Sequence, residues 1–380
     1  MNLVSKTTGA QRKPVLPHRT SIATVCVSGH LLDKLTAIAE AGFDGVEIFE
    51  NDLLHYPGSR QDIYNVCQEL GLKIEMYQPF RDLEGAATPE ELKRSLDRLE
   101  RKFQWMDELH TDLILLCSNC SPSSVGDRDR LVSDLRAAAE LAAKYNKRIA
   151  YEALAWGLHV YTWEYSWELV KEVDHPNLGI CFDTFHIFSR QGDINAIADV
   201  PAEKIFFVQL ADAPILKMDH LSYSRHHRNY PLQGAFPIIP FMEKLIQTGY
   251  IGPLSLEIFN DEFRAAPAKR IAQDGLRSLL YLQSELYHGS ILPPLPEVER
   301  IEYVEFAVDE ARIGQLEAFF LDMGLNKVGK HRSKNVTLYR QGGVSFIVNA
   351  EPESFASAFL LLHDTSVCAI AVRVKDIPAA

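Results

Sequence analysis

The stretch from Lys147 to His186 decides how the chain is read: KRIAYEAL (147–154), then TWEYSWELVKEV (162–173), then NLGICFDTFH (177–186). The outer two runs are short and apolar, as buried strands are, and the middle run repeats its apolar residues at helical spacing. Each apolar run closes on an acid, Glu152 in the first and Asp183 in the third. A strand, a helix and a second strand of this kind make a unit of a parallel sheet.

Working upstream, the same alternation extends back to Arg19. RTSIATVCV (19–27), HLLDKLTAIAEAG (30–42), DGVEIFE (44–50), QDIYNVCQELG (61–71), KIEMYQPF (73–80), PEELKRSLDRLERKFQWMDELH (89–110), DLILLCS (112–118) and RDRLVSDLRAAAELAAKYN (128–146) follow one another. Downstream come a short helix near DINAIADV, the strand KIFFVQLADA (204–213), the helix FPIIPFMEKLIQTG (236–249), the strand GPLSLEIF (252–259) and a last helix through AKRIAQDGLRSLLYLQSEL (268–286). Eight strand–helix pairs predict a (β/α)₈ barrel, an α/β fold whose usual size is about 250 residues. A doubly wound open sheet is disfavoured, because VCVSGHLL stands where a glycine-rich phosphate loop would follow the first strand.

The remaining sequence divides accordingly. Residues 1–18 lack periodicity and read as a disordered leader, 19–288 as the barrel, and 289–297, within the proline-rich HGSILPPLPEVER, as a linker. From 298 to 380 the pattern is that of a βαβββ module, with a further strand, VCAIAVRVKD, beginning just before the sequence stops at KDIPAA. Such a unit reads as a partial module with open sheet edges.

Composition limits the function. A chain of 380 residues, 47% hydrophobic and 24% charged, with no long apolar run, is expected to be soluble, with no membrane partner. A net charge of −12 argues against nucleic acid as a partner. Six scattered cysteines and no signal peptide point to the reducing cytosol. Cys117 and Cys120 have C-x-x-C spacing but no second pair for zinc, so they read as structural thiols.

Catalytic groups of a barrel sit at the C-terminal ends of its strands. Closing strands five to eight are Glu152, Asp183, Gln209 and Glu257. An acid at any one of these positions alone can also be read as a cap of the following helix. Together, carboxylates facing one water-poor mouth repel one another unless a cation neutralises them, and an all-oxygen donor set favours one divalent Mg²⁺, Mn²⁺ or Co²⁺. His186 is a candidate acid or base, or a group that orients Asp183. Arg81 after strand three, and Ser224, Arg225 and Arg228 in MDHLSYSRHHRNYPLQG (218–234), are candidate substrate contacts, with His226 and His227 beside them. Glu47 and Glu50 at the end of strand two are candidates for substrate hydroxyls. Trp156, Tyr161, Trp163 and Tyr77 are expected to wall the cavity or pack in the core.

These residues carry a resemblance. GFDGVEIFENDL (42–53), YQPFRDLEG (77–85), YEALAWGLHVYTWEYSW (151–167), PNLGICFDTFH (176–186), FVQLADAP (207–214), YSRHHRNYPLQG (223–234) and LSLEIFND (254–261) resemble the xylose-isomerase-like barrels, and within them the 3-dehydroshikimate dehydratases of quinate and shikimate catabolism. The resemblance implies that Glu152, Asp183, Gln209 and Glu257 hold the metal, that His186 is the acid/base group, and that Ser224 and Arg228 contact substrate. Gln209, where many sugar isomerases of that superfamily have histidine, leans toward the dehydratases. The segment from Val298 resembles the first module of 4-hydroxyphenylpyruvate dioxygenase-like domains of the vicinal oxygen chelate fold, but Tyr303 stands where such modules often carry a histidine ligand. The expected activity is therefore dehydration of 3-dehydroshikimate to protocatechuate. A sugar isomerase or epimerase, an apurinic endonuclease and an inactive scaffold are the rival readings, and association of copies is left open.

Overall fold

In the computed structural model, residues 16–287, 292 and 296–377 are described. Eight strands form a closed barrel in sequence order: β1 (Thr20–Ala23), β2 (Gly45–Phe49), β3 (Lys73–Phe80), β4 (Leu113–Cys117), β5 (Arg148–Glu152), β6 (Leu178–Asp183), β7 (Ile205–Leu210) and β8 (Leu254–Leu256). Every neighbouring pair is parallel, and β1 closes the ring by pairing Thr20 with Leu254 and Ile22 with Leu256. Parallel strands need crossover helices, and these cover the outside of the barrel. The helix Pro89–Glu108 shows why the sequence folds so: Thr88 caps it, proline opens it, and Leu99, Phe103 and Met106 bury one stripe.

The first strand is shorter than RTSIATVCV predicts, because Thr24–Cys26 turns into a 3₁₀ segment. Part of the expected leader lies outside the described residues, but its last residue is no leader. His18 is 3% exposed, with its backbone N–H donating to Gln283 Oε1 at 3.0 Å and its ring bonded to Gly252 O and Tyr287 Oη. The linker expected over 289–297 falls mostly outside the described residues.

A second compact unit follows residue 292. Strands β9 (Val298–Ala307), β10 (Asn326–Lys330), β11 (Val336–Gln341), β12 (Val344–Asn349) and β13 (Ser366–Val374) make one mixed sheet in the order β10-β11-β12-β9-β13. Its small core gathers Val308, Phe320, Leu325, Tyr339 and Val348. A helix at Phe355–His363, capped by Ser354, was not foreseen. FASAFLLLH is apolar nearly throughout and offers no polar–apolar period to read. No described helix is long and apolar enough to cross a membrane.

The segment after β7, expected as a loop, contains the helix His220–His226, whose N-terminus is capped by Asp219. Two backbone bridges, Asp212 with Asn229 and His227 with Asn260, tie this excursion to the ends of β7 and β8. Asp212 is 1% exposed and accepts backbone N–H bonds from Ala213 (2.8 Å), Gly234 (3.0 Å) and Phe236 (2.9 Å). Removing a buried acceptor strands its donors. Asp212→Ala should therefore lower the unfolding free energy by about 2–4 kcal/mol, seen as a lower urea midpoint at unchanged slope. An unshifted midpoint would show that the excursion is held by something else.

Candidate active site

The barrel's C-terminal mouth narrows to a cage walled by Glu152, Glu257, His186, Arg228, Cys117 and Trp156, among others. Strand register brings the donors together: Cys117 stands beside Glu152, Asp183 beside Gln209, and Gln209 beside Ser255. Ligand atoms of Glu152, Asp183 and His186 all lie within 4.8 Å of one another.

At the centre is Arg228, 1% exposed. Its Nη1 donates to Asp183 Oδ2 (2.8 Å), Glu257 Oε2 (3.1 Å) and Glu257 O (2.9 Å), and its Nη2 donates to Ser224 Oγ (2.8 Å). The guanidinium also lies over the Phe185 ring, 4.6 Å from its centroid. Its backbone is fixed from both sides, by Arg228 N–H to Phe259 O and by Asn260 Nδ2 to Arg228 O.

Burial, then the charges of Asp183 and Glu257, pushes Glu152 well above the usual carboxylate range. Glu152 Oε1 is buried and has no hydrogen-bond partner, while Oε2 accepts from the Cys117 thiol at 3.3 Å. Glu257 is raised, again by burial first, although Arg228 opposes the shift. Asp183 and Glu257 pair with Arg228, while Glu152 has no guanidinium partner, and Arg81 and Arg225 stand on the same wall.

Comparison with known proteins accords with this geometry. The profile of the xylose isomerase-like TIM barrel family matches residues 35–282. The chain belongs to that family. The profile described as hydroxyphenylpyruvate dioxygenase, N-terminal, matches residues 295–380. Over 373 residues the chain is 52% identical to a Pseudomonas putida protein named 3-dehydroshikimate dehydratase, covering 95% of this chain and 59% of the relative. A Neurospora crassa protein of the same name is 31% identical over 312 residues, covering 64% of this chain and 87% of the relative. A solved "xylose isomerase-like TIM barrel/4-hydroxyphenylpyruvate dioxygenase fusion protein" superposes with a TM-score of 0.77 at 51% identity, over 95% of this chain and 60% of that one. The chain spans about three fifths of the length of the Pseudomonas relative and of the fusion protein.

Within this member of the family, several expected site residues take other places. Glu47 is fully buried below the cage, not at its rim: Oε2 accepts from Gln209 Nε2 (2.7 Å) and Gln78 Nε2 (2.9 Å), and Oε1 accepts from Ser255. It therefore turns the Gln209 amide nitrogen away and sets which end of that amide serves as acceptor. Burial, with Glu257 nearby, pushes Glu47 up to about 8. Ser224 is likewise 0% exposed and spends its hydroxyl on Arg228 instead of a substrate. Arg228 itself is engaged with Asp183 and Glu257, which leaves the cage mouth to other cations.

Those cations are Arg81 and Arg225. Both are half-buried, both line the cage, and neither forms an ion pair among the described residues. Arg81 Nε is buried without a partner, and Arg225 lies over Phe259 at 4.5 Å. Burial, then the charge of Arg81, lowers the Arg225 pKa. Two such guanidinia invite an anion between them.

His186 keeps its place in the cage. Its Nδ1 accepts the Ala155 N–H at 3.1 Å, and its Nε2 lies 3.4 Å from Arg228 Nη2, 3.7 Å from Asp183 Oδ2 and 4.0 Å from Glu152 Oε1. Burial, then Arg228, lowers its pKa well below the ordinary value. Of the other candidates, His226 is exposed and pairs with Asp261 (2.8 Å), Glu50 pairs with Lys102, Tyr77 is in the barrel core, and Tyr161 meets Arg190 outside the cage. Trp163 packs edge-on against Phe182, whereas Trp156 stands edge-on to His186 at 5.1 Å.

Sequence reading missed Glu84, which sits behind the cage. It is 1% exposed and accepts from Asn119 N–H (2.6 Å) and from the hydroxyl of Tyr151 (2.9 Å), the residue preceding Glu152. Burial pushes its carboxyl up from 4.5 to about 7 despite these bonds. The folded state therefore holds this proton more tightly than the unfolded chain. The resulting stabilisation is full below about pH 4.5 and is lost as pH rises through about 7. Relative to Glu84→Gln, the parent chain should lose about 3 kcal/mol of stability between those limits, read from urea melts across pH. Parallel pH profiles for the two chains would refute the assignment.

Proposed function

We propose that the barrel dehydrates 3-dehydroshikimate to protocatechuate with the help of one divalent cation, Mg²⁺, Mn²⁺ or Co²⁺, in the breakdown of quinate and shikimate. The observation that carries this reading is the buried Glu152 Oε1, unpartnered beside Asp183 and Glu257, beneath two arginines that form no ion pair among the described residues. Glu152, Asp183, Gln209 and Glu257 would hold a divalent ion, and Glu152 Oε1 is the kind of atom such an ion satisfies. When bound, the ion would supply Lewis-acid stabilisation of charge developing on a ketone oxygen. The activity borne by the name of the relatives fits both features.

Dehydration removes a proton next to the ketone and the hydroxyl one carbon further on, and the resulting dienone enolises to the aromatic diol. Arg81 and Arg225 hold the substrate carboxylate and so fix which C–H and C–O bonds face the cage. His186, neutral in the cage, takes the proton next to the ketone on its inward ring nitrogen and returns it to the departing hydroxyl, so that the ring ends neutral and water is the only by-product. Trp156 and Phe259, both on the cage wall, limit solvent access. A neutral-sugar isomerase on the same barrel would have no use for the two free guanidinia.

Ultraviolet absorbance of the protein mixed with 3-dehydroshikimate should show the catechol chromophore, disappear on chelation and return with Mn²⁺, Mg²⁺ or Co²⁺. Arg81→Met and Arg225→Met should each raise KM about 10- to 100-fold, the worth of a charge-assisted hydrogen bond. Absence of product with every ion would refute the reading, and unchanged KM in both variants would refute the clamp.

A further inference from the structure

Outside the cage lies a second, larger cavity of about 620 Å³, whose floor includes Arg81 and Arg225 and whose far wall is the helix Pro89–Glu108. The cage itself encloses only about 20 Å³, room for about one water, whereas the outer cavity has the volume of a small-molecule site. Arg81, Arg225 and Phe49 line both, so the two spaces adjoin.

The outer wall is strongly positive. Arg98, Arg101 and Lys102 join Arg81 and Arg225 there, against the carboxylates of Glu50 and Asp82 alone, in a chain whose net charge is −12. Three of these cations come from one helix face, at positions three and four apart. Two of the three are already committed. Lys102 pairs with Glu50 and lies 3.9 Å from the Trp105 ring centroid, and Arg98 donates to Arg81 O (3.3 Å) while covering Phe80. Arg101 has no hydrogen bond, ion pair or ring contact among the described residues. An unengaged, exposed guanidinium on the wall of an open cavity, facing a floor with two more, is a recognition group with nothing of its own chain to recognise. Phe49, Pro79 and Trp105 provide apolar surface beside it.

We propose that this cavity is an outer binding site for monocarboxylates on a hydroxylated six-membered ring, and that Arg101 captures them before Arg81 and Arg225 draw them to the cage. The identity of the ring carboxylate as substrate rests on the function proposed above. The site gives an acidic protein a local field that attracts an acidic substrate, an effect that raises capture and weakens with salt.

The test compares Arg101→Glu with Lys144→Glu. Lys144 ends the helix Arg128–Lys144, which follows β4 and so finishes at the opposite end of the barrel, and its substitution changes the net charge equally. Two readouts are used: steady-state turnover of 3-dehydroshikimate, and calorimetric titration of 3,4-dihydroxybenzoate into the full chain. At about 0.02 M salt, Arg101→Glu should lower kcat/KM about tenfold, through KM, and weaken the titrated affinity similarly. Lys144→Glu should change either by less than about twofold, and at about 0.5 M salt the two variants should converge. Arg101→Lys should keep most of the parent's behaviour. Should Arg101→Glu track Lys144→Glu at both salt concentrations in both readouts, the outer site is refuted. If the parent chain forms no catechol, the proposed function falls, and the titration by itself decides whether the outer cavity binds ring carboxylates.

Discussion

Three carboxylates brought to one dry point by the closure of a parallel barrel set the terms for everything around them. Glu152 and Asp183 close the consecutive strands β5 and β6, and the ring brings Glu257, just after β8, round to meet them. Arg228 reaches across the cage to offset one charge, and much of the neighbouring chain exists to hold Arg228 there. Ser224 grips its guanidinium, Phe259 and Asn260 fix its backbone, and Asp212 anchors the excursion that delivers it. The buried Glu47 plays the corresponding part for Gln209 from below.

The arginines of the site consequently divide by depth. Arg228 is a structural cation, satisfied by its own chain. Arg81 and Arg225, at the mouth, form no ion pair among the described residues, nor does the exposed Arg101 further out. A sequence shows only that arginines are present in the loops; it does not show which of them have spent their hydrogen bonds.

The same distinction explains what was legible beforehand. Alternating apolar runs announced the barrel because each strand is buried on both faces, and the polar residue closing each run marked Glu152, Asp183, Gln209 and Glu257 as neighbours. Glu47 lies in the middle of β2, and only the register of the closed ring puts its carboxylate beneath Gln209. Ser224 looked available because hydroxyls in loops usually are, and nothing local revealed Arg228 folding back onto it. His186 could be placed but not its ring contacts, since these come from the backbone N–H of Ala155, a group that every residue but proline carries, and from Arg228. The helix His220–His226 was hidden by its brevity, and Phe355–His363 by its uniform hydrophobicity. Arg101 sits in a long charged helix where any arginine passes for a solvated one.

The seam of the barrel has a consequence for how the chain is made. β8 has only three residues, and β1 has four, yet their pairing joins positions more than two hundred residues apart, with His18 clasping Gln283 and Tyr287 across the same junction. On the ribosome the first strand must therefore wait, with an unpaired edge, until almost the whole barrel has emerged. Closure of such a long loop is slow compared with the local strand–helix pairings that precede it. A nascent chain halted before Leu254 would keep Glu152 and Asp183 on paired strands but lack Glu257, with β1 and β7 left as open edges.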